Sequence, residues 1–490
     1  MCKPSHLFQN SLVPSATKRA YHLPGERMSA VSYNKEGTYL AAINRRNAVV
    51  LDPAGRVHAA FQPNASWAVT ELAWLGNSTL LYSNLESELY LVHVPQERST
   101  KALKQERLLL GVEGQERDWW RFFSFAVAPG DGEICIATSD GELCIYSLET
   151  KKLVEKFPAH KNDINSVCYL AGEGAASDVI CSGSDDGLVQ LSDRRCPRKC
   201  AGVLAGHSAG VTSVSSRGDG IHLCSNGKDQ SVKIFDIRRA LSAVAWGEEG
   251  PHPRSPQGTP AALQENPLPY AFDYRMQIPT PKIFIDRHQR DVSVSTLRGG
   301  TVLRTLIRSQ WSPLDTTGGR YIASGSYDGG VCIWDLFQGG GGSLLPHTVL
   351  HPHGSSLVRA VAWSPDGLEL ATCGWEDGCL AVSAFEEGQR SGLRQAHLRT
   401  LRGHMAYFDS ASGRRYRAVL GPIIDKAALR FKKLEEKEGG SGEGGAGEGE
   451  VGHDAEADVD NDADENFWDD DDEEEEEEEE LEEDDDEEEE

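Results

Sequence analysis

Along the body of the chain, apolar and polar residues alternate in short runs, and one phrase recurs five times. It is an Asp, usually followed by Gly, then alternating apolar residues ending six positions later at a frequently aromatic site. The phrase runs from Asp140 to Tyr146, Asp186 to Ser192, Asp229 to Phe235, Asp328 to Trp334 and Asp377 to Ser383. Asp-Gly suits a tight turn that needs positive φ, and period-2 alternation is that of a strand with one buried face, so each phrase predicts a hairpin turn and its following strand. A second strand, ending in small residues, precedes the turn at 179–184, 222–227 and 321–326, and a third lies farther upstream at 164–169, 211–215 and 358–363. Three strands plus a connecting fourth make a four-stranded antiparallel blade.

The repeated Asp positions are separated by 46, 43, 99 and 49 residues, against a blade period of roughly 40 to 45. The long gap holds Pro251, Pro253, Pro256, Pro260, Pro267, Pro269 and Pro279, followed by Pro281. Proline cannot donate to a sheet ladder, so this stretch predicts an insertion and not a hidden blade. Two weaker units, Met28 to Asp52 and Trp67 to Val94, bring the number of blades to seven. Ring closure has two candidate strands, one within Leu398–His404 and one near Ala20 to Leu23.

Charge divides the chain sharply. Of its 77 acidic and 49 basic residues, Glu435 to Glu490 takes 34 acidic and one lysine, a charge of −33. The remaining 434 residues are mildly basic, at +5. So much charge with so few large apolar residues cannot offset chain entropy by burial, which predicts a disordered tail. No run approaches the roughly 18 apolar residues of a membrane span, and Met1 to Ser15 has no apolar core of a secretory signal. Eleven cysteines is an odd number. Cys135, Cys144, Cys168, Cys181, Cys224 and Cys332 sit in strand-like runs as small hydrophobes, which points to a reducing, intracellular setting in nucleus or cytoplasm.

Trp334-Asp335, Phe235-Asp236, Gly206-His207 and the Ser-Gly-Ser-x-Asp phrases at 182–186 and 324–328 resemble the WD40 β-propeller family. The implied fold is all-β: a seven-bladed WD40 β-propeller with a long inter-blade insertion and a disordered acidic C-terminal tail. The corresponding division is an N-terminal extension at 1–19, the propeller at 20–390 with its insertion at 240–298, a C-terminal extension at 391–434 and the tail at 435–490. In such blades His, Ser, Asp and Trp form a buried polar chain. His207, Ser225 and Asp229 match it, but Phe235 stands for the Trp and has no N–H, so that blade is expected to hold its Asp less firmly.

Sharper motifs have plainer explanations. Gly206-His-Ser208-Ala-Gly210 has the letters of a nucleophile elbow, which needs a helix after the serine; the β-branched run that follows predicts a strand. Cys196 and Cys200 offer two thiolates where a structural zinc site needs four ligands. Asp458, Asp460 and Asp462 imitate a calcium loop, with Ala463 where the sharp turn needs Gly. Arg217-Gly-Asp219 lies in an inter-strand turn, and Gly339 to Gly342 has no phosphate-binding Lys after it. The aromatic run Trp119 to Phe125 reads as a strand packed between blades. No cofactor and no catalytic residue is expected.

One pattern is left. Ser192-Asp193-Arg194-Arg195 and Phe235-Asp236-Ile237-Arg238 each place an Arg two residues after an Asp at a strand end. Two residues is one strand period, which predicts that Asp and Arg project on the same side, where a guanidinium can offer forked donors. The pair resembles the double W-D-x-R box of WD40 substrate receptors in cullin-4 RING ubiquitin ligases. Further phrases, Phe272–Arg275, Ser295–Gly300, Val302–Arg308, Trp311–Pro313 and Asn226–Gln230, resemble the subfamily of the eleventh cullin-4-associated factor and its plant relatives. By that likeness Asp193, Arg195, Asp236 and Arg238 form the face for the DNA-damage-binding adaptor, and the protein presents substrates for ubiquitylation without catalysing anything. A competing expectation is a chaperone or assembly factor whose tail gathers basic proteins or folds back over the basic body. The tail would oppose phosphate, so nucleic acid is not expected as a partner.

Overall fold

The computed structural model describes residues 14, 16–23, 27–99, 101–108, 121–170, 178–197, 199–242, 290–336 and 343–384. The described residues all belong to the first of two units, Met1–Leu429, and Arg430–Glu490 lies wholly outside the described residues. So do 243–289 of the insertion, Leu398–His404 and the calcium-like run at 458–462. No helix among the described residues is long and apolar enough to cross a membrane.

Seven antiparallel sheets follow one another along the first unit. Blade 1 is Met28–Tyr33, Leu40–Asn44, Ala48–Leu51 and Val57–Phe61; blade 2 is Val69–Leu75, Thr79–Asn84, Leu89–His93 and Gln105–Leu108. Blade 3 is Phe122–Val127, Glu133–Thr138, Glu142–Ser147 and Lys152–Pro158, and blade 4 is Ile164–Tyr169, Val179–Ser184, Val189–Asp193 and Cys200–Leu204. In blade 5, Val211–Ser216, His222–Gly227 and Ser231–Asp236 are joined by Ser295–Leu297, with Ser343–Leu344 added in parallel at the edge. Blade 6 is Ser309–Trp311, Tyr321–Gly325, Val331–Asp335 and Thr348–Leu350. The insertion therefore leaves after the third strand of blade 5 and returns as its fourth, with Val232 opposite Leu297.

Blade 7 settles the closure. Its strands Val358–Trp363, Glu369–Gly374 and Cys379–Ala384 take their fourth from the N-terminus, Ala16–His22, which pairs Ala20 with Ala381 and His22 with Cys379. Lys18 and Arg19 both reach Glu369, at 2.9 and 3.0 Å. First strands of successive blades pack side by side, and blade 7 packs on blade 1, so the ring is closed.

At Gly183 and Gly325 the small residue near the turn is explained by inter-blade packing, while at Gly227 and Gly374 a Cβ would meet the His–Asp pair of the same blade. A Cβ at Gly183 would lie 2.6 Å from Val211 Cγ1 of the next blade, so a larger side chain would push blades 4 and 5 apart. Apolar clusters fill each such seam, as where Val189 and Leu191 meet Val211, Leu223 and Phe235. The strand cysteines serve this core: Cys135, Cys144, Cys181, Cys224 and Cys332 are free and buried, and burial pushes the Cys144 thiol up to about 12.

Among the described residues, the His–Asp–hydroxyl part of the polar chain occurs in blades 4, 5 and 7. His207 Nδ1 lies 3.0 Å from Asp229 and its Nε2 lies 2.6 Å from Ser225 Oγ. His160 joins Asp186 and Ser182 in the same way, as does His353 with Asp377 and Thr372. The expectation for blade 5 is corrected here. Asp229 also accepts from Ser208 N, Ser231 N and Ser231 Oγ, so donors other than a Trp saturate it. In blade 6, where the Trp is present, Trp334 Nε1 donates to Arg298 O at 3.2 Å. Burial alone would raise the Asp229 carboxyl, but the His207 charge and hydrogen bond, with Lys233, hold it down at about 2.

Two arginines seal the axis. Arg308, directly before the first strand of blade 6, donates to Phe123 O, Asn165 O and Thr212 O of blades 3, 4 and 5 at 3.0 to 3.2 Å, and pairs with Glu71 of blade 2 at 2.9 Å. Its own N–H donates to Arg359 O of blade 7. Arg359 donates to Ser29 O of blade 1 and to Thr70 O of blade 2. Both side chains belong to buried residues, and between them they touch the first strands of the other blades.

Candidate functional site

Third strands of all blades run the same way, so Asp193 and Asp236 end theirs on one face of the ring. After Asp236 the chain turns into a short 3-10 helix, Ile237–Arg239, whose N-cap Asp236 accepts from Arg238 N. Asp193 likewise accepts from Arg195 N at 2.9 Å. Asp and Arg come together in each box, but through an Asx-type turn at the strand end, in which the carboxylate captures the main chain two residues on. The strand pleat invoked from the sequence does not extend that far.

Each guanidinium then closes on its own Asp. Arg195 donates Nε to Asp193 Oδ1 at 3.0 Å and Nη2 to Oδ2 at 2.8 Å. Arg238 donates Nε to Asp236 Oδ1 at 2.9 Å and Nη2 to Oδ2 at 2.5 Å. Arg195 has a second carboxylate, Asp178, at 3.6 Å. The side-chain hydrogen bond from Arg238 pulls the Asp236 carboxyl down to about 2, and that from Arg195 lowers Asp193. Both arginines stay largely in solvent, 67% and 68% exposed. A fork already fixed in one rotamer has little orientation left to lose when a partner arrives.

The neighbouring boxes differ in support. Arg194 of the first reaches back to Glu133 of blade 3, which braces the turn between Asp193 and Arg195. In the second, Asp219 accepts from Ile221 N and His222 N and pairs with His222 Nδ1 at 2.7 Å and Arg217 at 3.2 Å. That carboxylate is the Asp of Arg217-Gly-Asp219, and it is occupied in its own hairpin.

Other sequence candidates dissolve into the fold. Ser208 of the elbow-like motif is buried and followed by the strand Val211–Ser216, while His207 bonds Ser225. Cys196 is exposed and Cys200 Sγ donates to Gly202 O. No group of three or more metal-ligand side chains occurs among the described residues. Phe122 and Phe125 are buried in the seam with blade 2, while Trp119 and Trp120 lie outside the described residues.

The repeat model of the "WD domain, G-beta repeat" matches 151–193, 198–236, 310–335 and 345–382. Its first segment spans the fourth strand of blade 3 and three strands of blade 4, as overlapping repeats do in a closed ring. The propeller carries WD40 repeats. The chain is 32% identical over 327 residues to a LEC14B homolog of Prunus armeniaca, covering 65% of this chain and 63% of that protein. It is 38% identical to the LEC14B protein of Lithospermum erythrorhizon, over 50% of this chain and 47% of that one. A Caenorhabditis elegans protein named DDB1- and CUL4-associated factor 11 homolog is 37% identical over 47% of this chain and 37% of its own length. The matches thus span between about a third and two thirds of these relatives.

Proposed function

We propose that this WD40 propeller is a non-catalytic substrate receptor of a cullin-4 RING ubiquitin ligase, docking the DNA-damage-binding adaptor through Asp193, Arg195, Asp236 and Arg238. One observation carries the reading: consecutive blades end their third strands in the same bidentate Asp–Arg pair, on one face, with both guanidinium groups exposed. A relative whose name contains this ligase association supports it. In this reading the two carboxylates hold the arginines in place, and the arginines meet acceptors of the adaptor. Substrate is presented from elsewhere on the ring.

Binding of purified adaptor, by calorimetry, to wild type, Arg238→Ala and Arg238→Lys tests the fork. A hot-spot arginine costs about 2 kcal/mol or more on truncation, at least about thirty-fold in Kd. Lysine keeps the charge without the planar fork, so it is expected to restore little. Wild-type affinity in both variants contradicts the proposal.

A further inference from the structure

The turns between second and third strands lie at the opposite end of the ring from the Asp–Arg boxes. There the loop from blade 5 to blade 6 has a strained residue. Arg304 sits at φ 63, and Thr305 N donates to Leu303 O at 2.8 Å across it. That is a γ-turn in its rare positive-φ form, which persists only where surroundings over-determine it and which gathers at binding sites. The surroundings do so. Gln230, itself at φ 62, clamps Val302 by accepting from its N at 2.7 Å and donating to its O at 3.0 Å. Val302 and Ile307 are buried with Leu357, and Arg308 is anchored in the axis.

All that anchoring presents one side chain. Arg304 projects from this end of the ring, 56% exposed, 5.3 Å above the Tyr327 ring and 3.4 Å from the exposed Glu376. Next to Glu376, Trp375 packs on the same apolar cluster as Tyr327, and the exposed Arg27 lies 5.6 Å from its ring centre. The patch is two exposed arginines on two aromatic rings, the Trp375 ring also taking the buried Arg359 at 5.3 Å, with Glu376 as the counter-charge of Arg304.

We infer that Arg304, Tyr327, Trp375 and Arg27 form a docking surface for an acidic, extended segment of a protein partner. The exposed Arg304–Glu376 pair is worth little in water, so an incoming carboxylate can displace Glu376. The rings hold the guanidinium groups by cation–π contact and give apolar side chains of the segment a place to pack. This surface is distinct from the boxes of the opposite face.

Fluorescence anisotropy of the full chain with two labelled peptides tests it, one a short run of Glu and Asp around a Phe, the other its Lys counterpart. Wild type is expected to bind the acidic peptide. Arg27→Ala with Arg304→Ala should weaken it about ten-fold or more, and Glu376→Gln should tighten it a few-fold by removing the competitor. The gain in Glu376→Gln cannot come from misfolding, so it decides the matter if the double variant melts early. Equal binding of the Lys peptide, undiminished binding by a folded double variant, or weaker binding by Glu376→Gln overturns the inference. Adaptor affinity, measured on the same samples, is expected to be unchanged, which keeps this result separate from that of the Asp–Arg boxes.

Discussion

The arginines of the axis and those of the rim have the same chemistry and opposite fates. Arg308 and Arg359 bond main-chain carbonyls that are from 96 to 330 residues away in sequence, and they are buried. Arg195 and Arg238 bond a carboxylate two residues away and stay in solvent. A remote partner makes the guanidinium part of the closed ring, since freeing it means opening blades. A local partner only orients it, leaving it available to another protein. Arg320 of blade 6 is intermediate: it holds Asp335 across its own hairpin at 2.6 and 2.7 Å, local like the rim pairs but buried, with side chains 13% and 1% exposed.

The largest effect should come from Arg308→Ala, which leaves Glu71 and three carbonyls without their shared donor. Breaking a buried charged pair costs about 3–5 kcal/mol, to be read by urea unfolding, and Arg308→Lys should recover little of it because a lysine cannot reach several blades with one planar group. A cost below about 1 kcal/mol would mean that the axis is not a staple.

Acid should act next, through Asp229. Its folded-state carboxyl is held at about 2, below the ordinary value near 4. The stabilisation is therefore complete above pH about 4 and is lost as pH falls through about 2; it amounts to roughly 2 kcal/mol. Asp229→Asn should flatten this limb of the pH–stability curve and lower stability at pH 7. An unchanged acid limb would show that the His207–Asp229 pair does not carry it.

Smaller still is the effect of loosening one rim arginine. Asp236→Asn removes the carboxylate that fixes Arg238, which should weaken adaptor binding several-fold while leaving Arg238 present, at about 0.5–1.5 kcal/mol per freed long side chain. Surface changes of this kind should move folding stability by no more than about 0.5 kcal/mol. Equal affinity for Asp236→Asn and wild type would show that pre-orientation is unimportant.

Much of this was legible from short-range pattern. The six-residue offset after each Asp places a turn and a strand, because both are written within one hairpin, and the prolines at 251–281 mark the interruption of blade 5. The boxes were visible for the same reason: Asp and Arg are two residues apart. Long-range pairing was only half legible, since a strand near Ala20 to Leu23 stood as one of two candidates to close the ring. Ala16–His22 meets Cys379–Ala384 from the far end of the chain, and its own residues alternate too weakly to name a partner. Arg359 stands inside the apolar run Val358–Trp363, where a charge in a first strand is the one hint that a group faces the axis. Phe235 misled because a missing donor was weighed alone, whereas Asp229 had Ser208 and Ser231 within reach.

The central claim, that the rim arginines grip another protein and the axial ones only the ring, is tested most directly by quantitative co-purification of the adaptor with wild type and with Arg195→Ala plus Arg238→Ala. The double variant is expected to lose the adaptor while its thermal melt stays nearly that of wild type. Full recovery of adaptor by the folded double variant would contradict it.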